Sequence, residues 1–134
     1  MRKIYKTYKF RVYPNKTQEI LLNKTFGCTR FVYNHMLAER KETYEKLKDD
    51  KVALKSHKYN TEKQYKQKFE WLAEVDAIAV QQARVDLEVA YKNFFDSITG
   101  KRKGRKISYP KFKSKKETRQ SFRTINVNNN IDIV

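Results

Sequence analysis

The chain has 134 residues and carries 31 Lys and Arg against 15 Asp and Glu, a net charge of +16, too lopsided for an ordinary enzyme surface and suited to a chain that meets a polyanion. No apolar run approaches the roughly 18 to 20 residues that a membrane-spanning helix needs and residues 1–10 lack the apolar stretch of a signal peptide, so a cytoplasmic protein is predicted, with 18 aromatic side chains for one compact core. A single cysteine, Cys28, excludes an internal disulfide, and the missing Cys-x-x-Cys pairs exclude the usual zinc knuckle or ribbon.

In chain order, Tyr8, Phe10 and Val12 alternate with Lys9, Arg11 and Tyr13, a period of two that predicts a strand over 3–13 with one buried and one charged face. Pro14 stops it. Asn15 and Gln18 have the spacing of a capping box, and the helix they start is expected to run through Ile20, Leu21 and Leu22 to Phe26, where Gly27 breaks it. A second helix follows. Its apolar positions Cys28, Phe31, Val32, His35, Met36, Tyr44 and Leu47 recur at helical spacing, so the two helices read as a helix-turn-helix-like pair. Residues 48–58 are polar and read as a loop or frayed helix end. Thr61 and Gln64 repeat the capping spacing before Tyr65, Phe69 and Leu72, predicting a short helix over 61–72. Val80, Ala83, Leu87, Ala90, Tyr91, Phe94 and Ile98 then mark one stripe of a long helix over 77–97, ended by Gly100. Strand patterning returns last: Phe122, Thr124 and Asn126 alternate with Arg123, Ile125 and Val127, and after a turn of three asparagines Ile131 and Ile133 begin another strand. The predicted fold class is α+β, a helical insert within a split sheet.

Between the long helix and those strands, residues 101–116 hold nine cations and no acid. Lys101, Arg102, Lys103, Arg105, Lys106, Lys111, Lys113, Lys115 and Lys116 form a phosphate-binding strip if the loop stays open. Tyr109 and Phe112 within it either stack on bases, at about 1–3 kcal/mol each, or anchor the loop on the fold. Other constellations are weaker. Asp76, Asp86 and Asp96 recur every ten residues, a rotation of about 280° on a helix, so they share no face and read as solvated carboxylates. Cys28 and His35 lie on one helical face, but with Phe31, Val32 and Met36 around them and no third ligand they read as a core thiol and a boundary imidazole. Neither histidine comes with the acid and serine of a nucleophilic triad.

The run YKFRVYPNKTQEILLNKTFGCTRFVYNHMLAER (Tyr8 to Arg40) resembles the N-terminal helix-turn-helix region of TnpB-like proteins, OrfB of the IS200/IS605 insertion sequences, which are RNA-guided DNA endonucleases related to type V CRISPR effectors. Trp71 to Phe95 and Tyr109 to Ile133 resemble the next two blocks of that family, in order. The resemblance implies a first strand of a wedge domain at 1–14, a helical recognition lobe at 15–99, and a basic loop with returning wedge strands at 100–134. Together these make helices inserted in a partial wedge-like β-barrel. It implies guide RNA and DNA as partners of a monomer. It also implies candidate base readers: Gln81 and Gln82, since glutamine pairs bidentately with adenine, Asn128, and more loosely Tyr59. Ala77 and Val127 stand near them in place of polar side chains. In the family, the RuvC-like nuclease with its acidic triad, its magnesium and its zinc-binding cysteines follows these blocks. A truncated or excised fragment that binds without cutting, and that holds no cofactor of its own, is therefore expected. A stand-alone helix-turn-helix regulator and a basic structural RNA-binding protein are the alternative readings.

Overall fold

Pro14 and Asn15 set the start of the first helix. In the computed structural model, which describes residues 2–116 and 119–127, the Asn15 side chain accepts from the Gln18 backbone N–H at 2.9 Å and the Gln18 side chain accepts from the Asn15 N–H at 2.9 Å. This reciprocal capping box satisfies two otherwise orphaned donors. The helix it opens, α1, runs unbroken from Lys16 to Leu47, 32 residues, about 48 Å at the α-helical rise.

The break expected at Gly27 does not occur. Only Gly100 and Gly104 take positive φ among the described glycines, and a Cβ built on Gly27 would meet nothing nearer than the Arg30 guanidinium at 4.0 Å. An interior glycine weakens a helix by about 1 kcal/mol. The buried stripe that continues across it through Thr25, Cys28, Thr29, Val32, Tyr33, Met36 and Leu37 outweighs that cost. The polar segment at 48–58 also forms a helix: Asp50 accepts from the Ala53 N–H at 3.0 Å and caps α2, Lys51–Ser56. Helix α3, Glu62–Lys68, starts where Thr61 and Gln64 place it, with the Gln64 side-chain oxygen accepting from the Thr61 N–H at 2.8 Å. It gives way to a 3₁₀ turn, Glu70–Glu74, before α4, Ala77–Ile98, which Asp76 caps.

Contacts along α1 fix the topology. Descending α1, Glu39 bonds the Asn60 N–H and the Tyr65 hydroxyl, Phe31 meets Phe69 and Trp71, and Lys24 pairs with Glu74. Helix α3 and the 3₁₀ turn therefore run antiparallel to α1. Helix α4 then rises parallel to α1, bringing Tyr91 beneath the Arg40 guanidinium. All three contribute to one core cluster in which Val32, Leu37, Leu72, Val80 and Leu87 are fully buried. After Gly100, at φ 79°, the chain turns and descends again in extended form. Ile107 N–H bonds Ser97, Tyr109 bonds Tyr91, Lys113 meets Asn34, Phe122 packs on Phe26, and Thr124 bonds Asp76.

The α+β class and the partial wedge-like β-barrel are thus corrected: among the described residues all regular structure is helical. Residues 3–13 are extended, and Tyr8 and Phe10 stack at 6.4 Å as side chains on one face do. Among the described residues they have no ladder partner, and Tyr5 and Phe10 are 90% and 80% exposed. A period of two specifies an extended backbone, but a strand exists only when a second segment takes up its N–H and C=O groups. In the returning segment Phe122, Arg123 and Thr124 direct their side chains to the helices. The strand expected at Ile131 and Ile133 lies outside the described residues.

Gly27→Ala should therefore stabilise the chain by about 0.5–1 kcal/mol, read as a higher midpoint in thermal unfolding followed by circular dichroism. A lower midpoint would mean that α1 is interrupted at that position.

Candidate nucleic-acid interface

The basic strip is carried in two parts. Lys101, Arg102, Lys103, Arg105 and Lys106 form an exposed loop at the C-terminal end of α4, where cations also complement the helix dipole. Gly100 and Gly104, both at positive φ, let the chain turn there. The Arg102 N–H bonds the Asp96 carbonyl at 3.1 Å and its guanidinium reaches the Asn93 side chain at 3.3 Å, which holds the loop close to α4.

The second part lies along α1. Lys111, Lys115 and Lys116 are exposed, but Lys113 turns inward. The Asn34 carboxamide clasps its backbone on both sides, accepting from its N–H at 2.8 Å and donating to its carbonyl at 2.8 Å. Its ammonium sits 4.4 Å from the centroid of the Tyr33 ring, a cation–π contact.

Tyr109 occupies the anchoring position. Its hydroxyl shares a 2.7 Å hydrogen bond with that of Tyr91, and its ring makes edge contacts with Tyr91 and Phe94. Burial and that hydrogen bond push the Tyr91 hydroxyl far above the usual phenol range, so it remains protonated. Phe112 keeps about half its surface in solvent, with Lys41 4.5 Å from its ring centroid.

Among the candidate base readers, Gln81 is exposed on the second turn of α4 and Gln82 is buried. Tyr59 is half-buried, its ring covered by Arg40 at 5.0 Å and edged by His57. Asn128 lies outside the described residues. No contact joins Gln81 to Tyr59, and Lys101 to Lys106 lie at the opposite end of α4 from Gln81.

The tempting carboxylates are dispersed. Asp76 caps α4 and accepts from the Thr124 hydroxyl, Asp86 pairs with Arg123 at 2.7 Å, and Asp96 pairs with Lys92 at 2.6 Å. Cys28 is buried, and burial raises its thiol pKa. His35 is exposed, stacked on Phe31 at 3.8 Å with Nδ1 3.0 Å from the Phe31 carbonyl. No three His, Cys, Asp or Glu side chains converge on one point among the described residues.

Sequence reasoning missed Asn34, Arg40 and Lys41. All three lie on α1 and organise the site: Asn34 clasps the returning segment, Arg40 lies between Tyr59 and Tyr91, and Lys41 covers Tyr109 and Phe112. A carboxamide beside the apolar stripe and a cation pair about two turns further on were the only available signals.

The chain matches the helix-turn-helix domain family of IS605-type OrfB proteins over residues 1–49, the extended segment and α1. The helix that packs beside α1 in parallel, α4, lies beyond that match. Over 121 residues it is 31% identical to a "Putative RNA-guided DNA endonuclease" of Streptomyces pristinaespiralis, and over 108 residues 30% identical to InsQ of Escherichia coli (strain K12), which carries the same description. The matches cover 90% and 81% of this chain but 28% and 25% of those proteins, so the chain spans about a quarter of their length. It is also 37% identical over 114 residues to the virulence protein VsdF of Salmonella dublin, covering 80% of this chain and 91% of that one. The ordered blocks, the N-terminal domain match and these relatives together show that the chain belongs to the TnpB-like OrfB family of IS605-type transposons and corresponds to its N-terminal region.

Proposed function

We propose that the chain is the nucleic-acid-binding part of a TnpB-like system, gripping guide RNA and target DNA as a cytoplasmic monomer without cutting either. The observation that carries the reading is the exposed cationic loop at the end of α4, backed by +16 net charge and anchored through Tyr109 and the Asn34 clasp. A cationic loop held against α4 through Arg102 binds phosphates at a lower ordering cost than a free tail would. Family membership supports the same reading, since two relatives are named for RNA-guided DNA cleavage. Binding without cutting is supported by the separate engagements of Asp76, Asp86 and Asp96, because two-metal phosphodiester cleavage needs convergent carboxylates. Any magnesium or structural zinc of the full-length relatives is assigned by this reading to regions this chain does not match. No helix of the described residues is long and apolar enough to cross a membrane.

If about six to eight phosphates are neutralised, log affinity for structured RNA should fall against log salt with a slope of roughly −4 to −7. Changing Lys101, Lys103 and Lys106 to Gln should shrink that slope by about 2 to 3 without moving the unfolding midpoint. Lys113→Gln, by contrast, should lower the midpoint, because that side chain covers Tyr33. A flat salt response would overturn the electrostatic reading.

Labelled single- and double-stranded DNA incubated with the chain in magnesium or manganese should remain intact. Cleavage that survives stringent purification and disappears on substitution of Asp76, Asp86 or Asp96 would refute the non-cutting assignment.

Gln81 and Asn128 are proposed to read bases beside the target. Grafted into a complete family nuclease, the domain should impose a preference measurable from a randomised DNA library. Gln81→Ala should cost about 1–3 kcal/mol at one base position, whereas loss of a strip lysine should weaken all sequences alike. An unchanged library profile would make the carboxamides surface residues only.

A further inference from the structure

Where α1, the α2–α3 connection and the end of α4 converge, the surface holds a cleft of about 590 Å³, within the range of sites that enclose small organic groups. Its walls are largely aromatic: Tyr44 from α1, Tyr59 from the connection, and Tyr91, Phe94 and Phe95 from α4. The guanidinium of Arg40 lies between two of them, 5.0 Å from the Tyr59 centroid and 4.7 Å from that of Tyr91. Tyr44 and Phe95 are 54% and 55% exposed and stand outside the core cluster. Water therefore covers two large rings that could be covered by a ligand.

Charge decides among the occupants. Lys41 lies over Tyr109 at 5.6 Å, and Tyr109 is bonded to Tyr91 in the cleft wall. Arg102 is tied to Asn93 and to the Asp96 carbonyl, on the turns that carry Phe94 and Phe95. The Asp96 carboxylate on that turn is already paired with Lys92. An aromatic floor inside a cationic rim is poorly matched to an apolar helix, which would bring nothing to the cations. It matches a planar, π-faced group on an anionic backbone.

We propose that this cleft receives one unpaired nucleobase of a single strand, stacked on Tyr44 and Phe95, with the flanking phosphates on the surrounding cations. The inference rests on the nucleic-acid-binding reading above, and the test separates the two. A single strand of about 12 nucleotides carrying one central 2-aminopurine reports stacking by fluorescence quenching, and a blunt duplex of equal length, its bases paired, serves as control. The full chain should quench the single strand. Tyr44→Ala and Phe95→Ala should each weaken single-strand binding by about 5- to 100-fold while leaving duplex affinity unchanged, and Tyr44→Phe, which keeps the ring, should bind as the parent does. Because both rings are largely exposed, the variants retain the fold, which circular dichroism checks. Binding to neither probe overturns the nucleic-acid reading and this inference with it. Binding to both with no effect of the Ala variants, or with equal losses on both, overturns the cleft assignment alone. A concentration-dependent dimer in sedimentation that Tyr44→Ala dissociates would instead make the cleft an interface between copies and also overturn it.

Discussion

The parallel packing of α1 and α4 is the constraint on which the rest of this structure depends. A 32-residue helix with a glycine inside and a largely charged outer face has little reason to persist by propensity alone. What sustains it is the apolar stripe of Val32, Met36 and Leu37 meeting Val80, Ala83 and Leu87 in one cluster, closed from the other side by Leu72 and Tyr65. Because α4 rises in the same direction as α1, the chain must first run back down, and α3 with the 3₁₀ turn performs that return while completing the core. Helix α2 is the capped corner at the top of this path.

The cationic strip is positioned by that pair. The exposed loop sits where α4 ends, and the chain after it lies along both helices. It is fixed by polar contacts that replace a missing sheet: the Asn34 clasp, the Tyr91–Tyr109 hydroxyl pair, and the Arg123–Asp86 and Thr124–Asp76 contacts. A carboxamide that both accepts from and donates to one residue's backbone does locally what a neighbouring strand does in a ladder. The extended segment thereby gains fixed register without becoming a strand. One cost follows for the strip: Lys113 is taken out of the ligand-facing set and used to cover Tyr33. The aromatic residues divide in the same way. Tyr109 anchors the loop, while Phe112, Tyr44 and Phe95 keep open faces.

The N-terminal segment shows the opposite outcome of the same physics. Tyr8 and Phe10 stack as alternating side chains on one face do, yet no described segment forms a ladder with it. An extended segment with one apolar face and no ladder partner among the described residues is the kind of edge that other sheets complete.

Local rules, acting over three or four residues, were legible in the sequence. The caps at Asn15–Gln18 and Thr61–Gln64, the stripe of α4 and its stop near Gly100, and the cationic tract could all be read from spacing and composition, while the family came from the resemblance of whole blocks of sequence. Tertiary structure decided what spacing cannot encode. Gly27 remains helical because the buried stripe on both sides of it outweighs its propensity cost, and the polar stretch after α1 forms α2 on the strength of one aspartate cap. Among the described residues the two period-two segments form no strand, because strand formation depends on a partner rather than on the segment itself. Asn34 acquires its role from Lys113, 79 residues away, and Arg40 acquires its role from rings on two other elements. Such contacts have no signature in sequence spacing, since they arise only when folding brings distant residues within hydrogen-bonding or stacking reach.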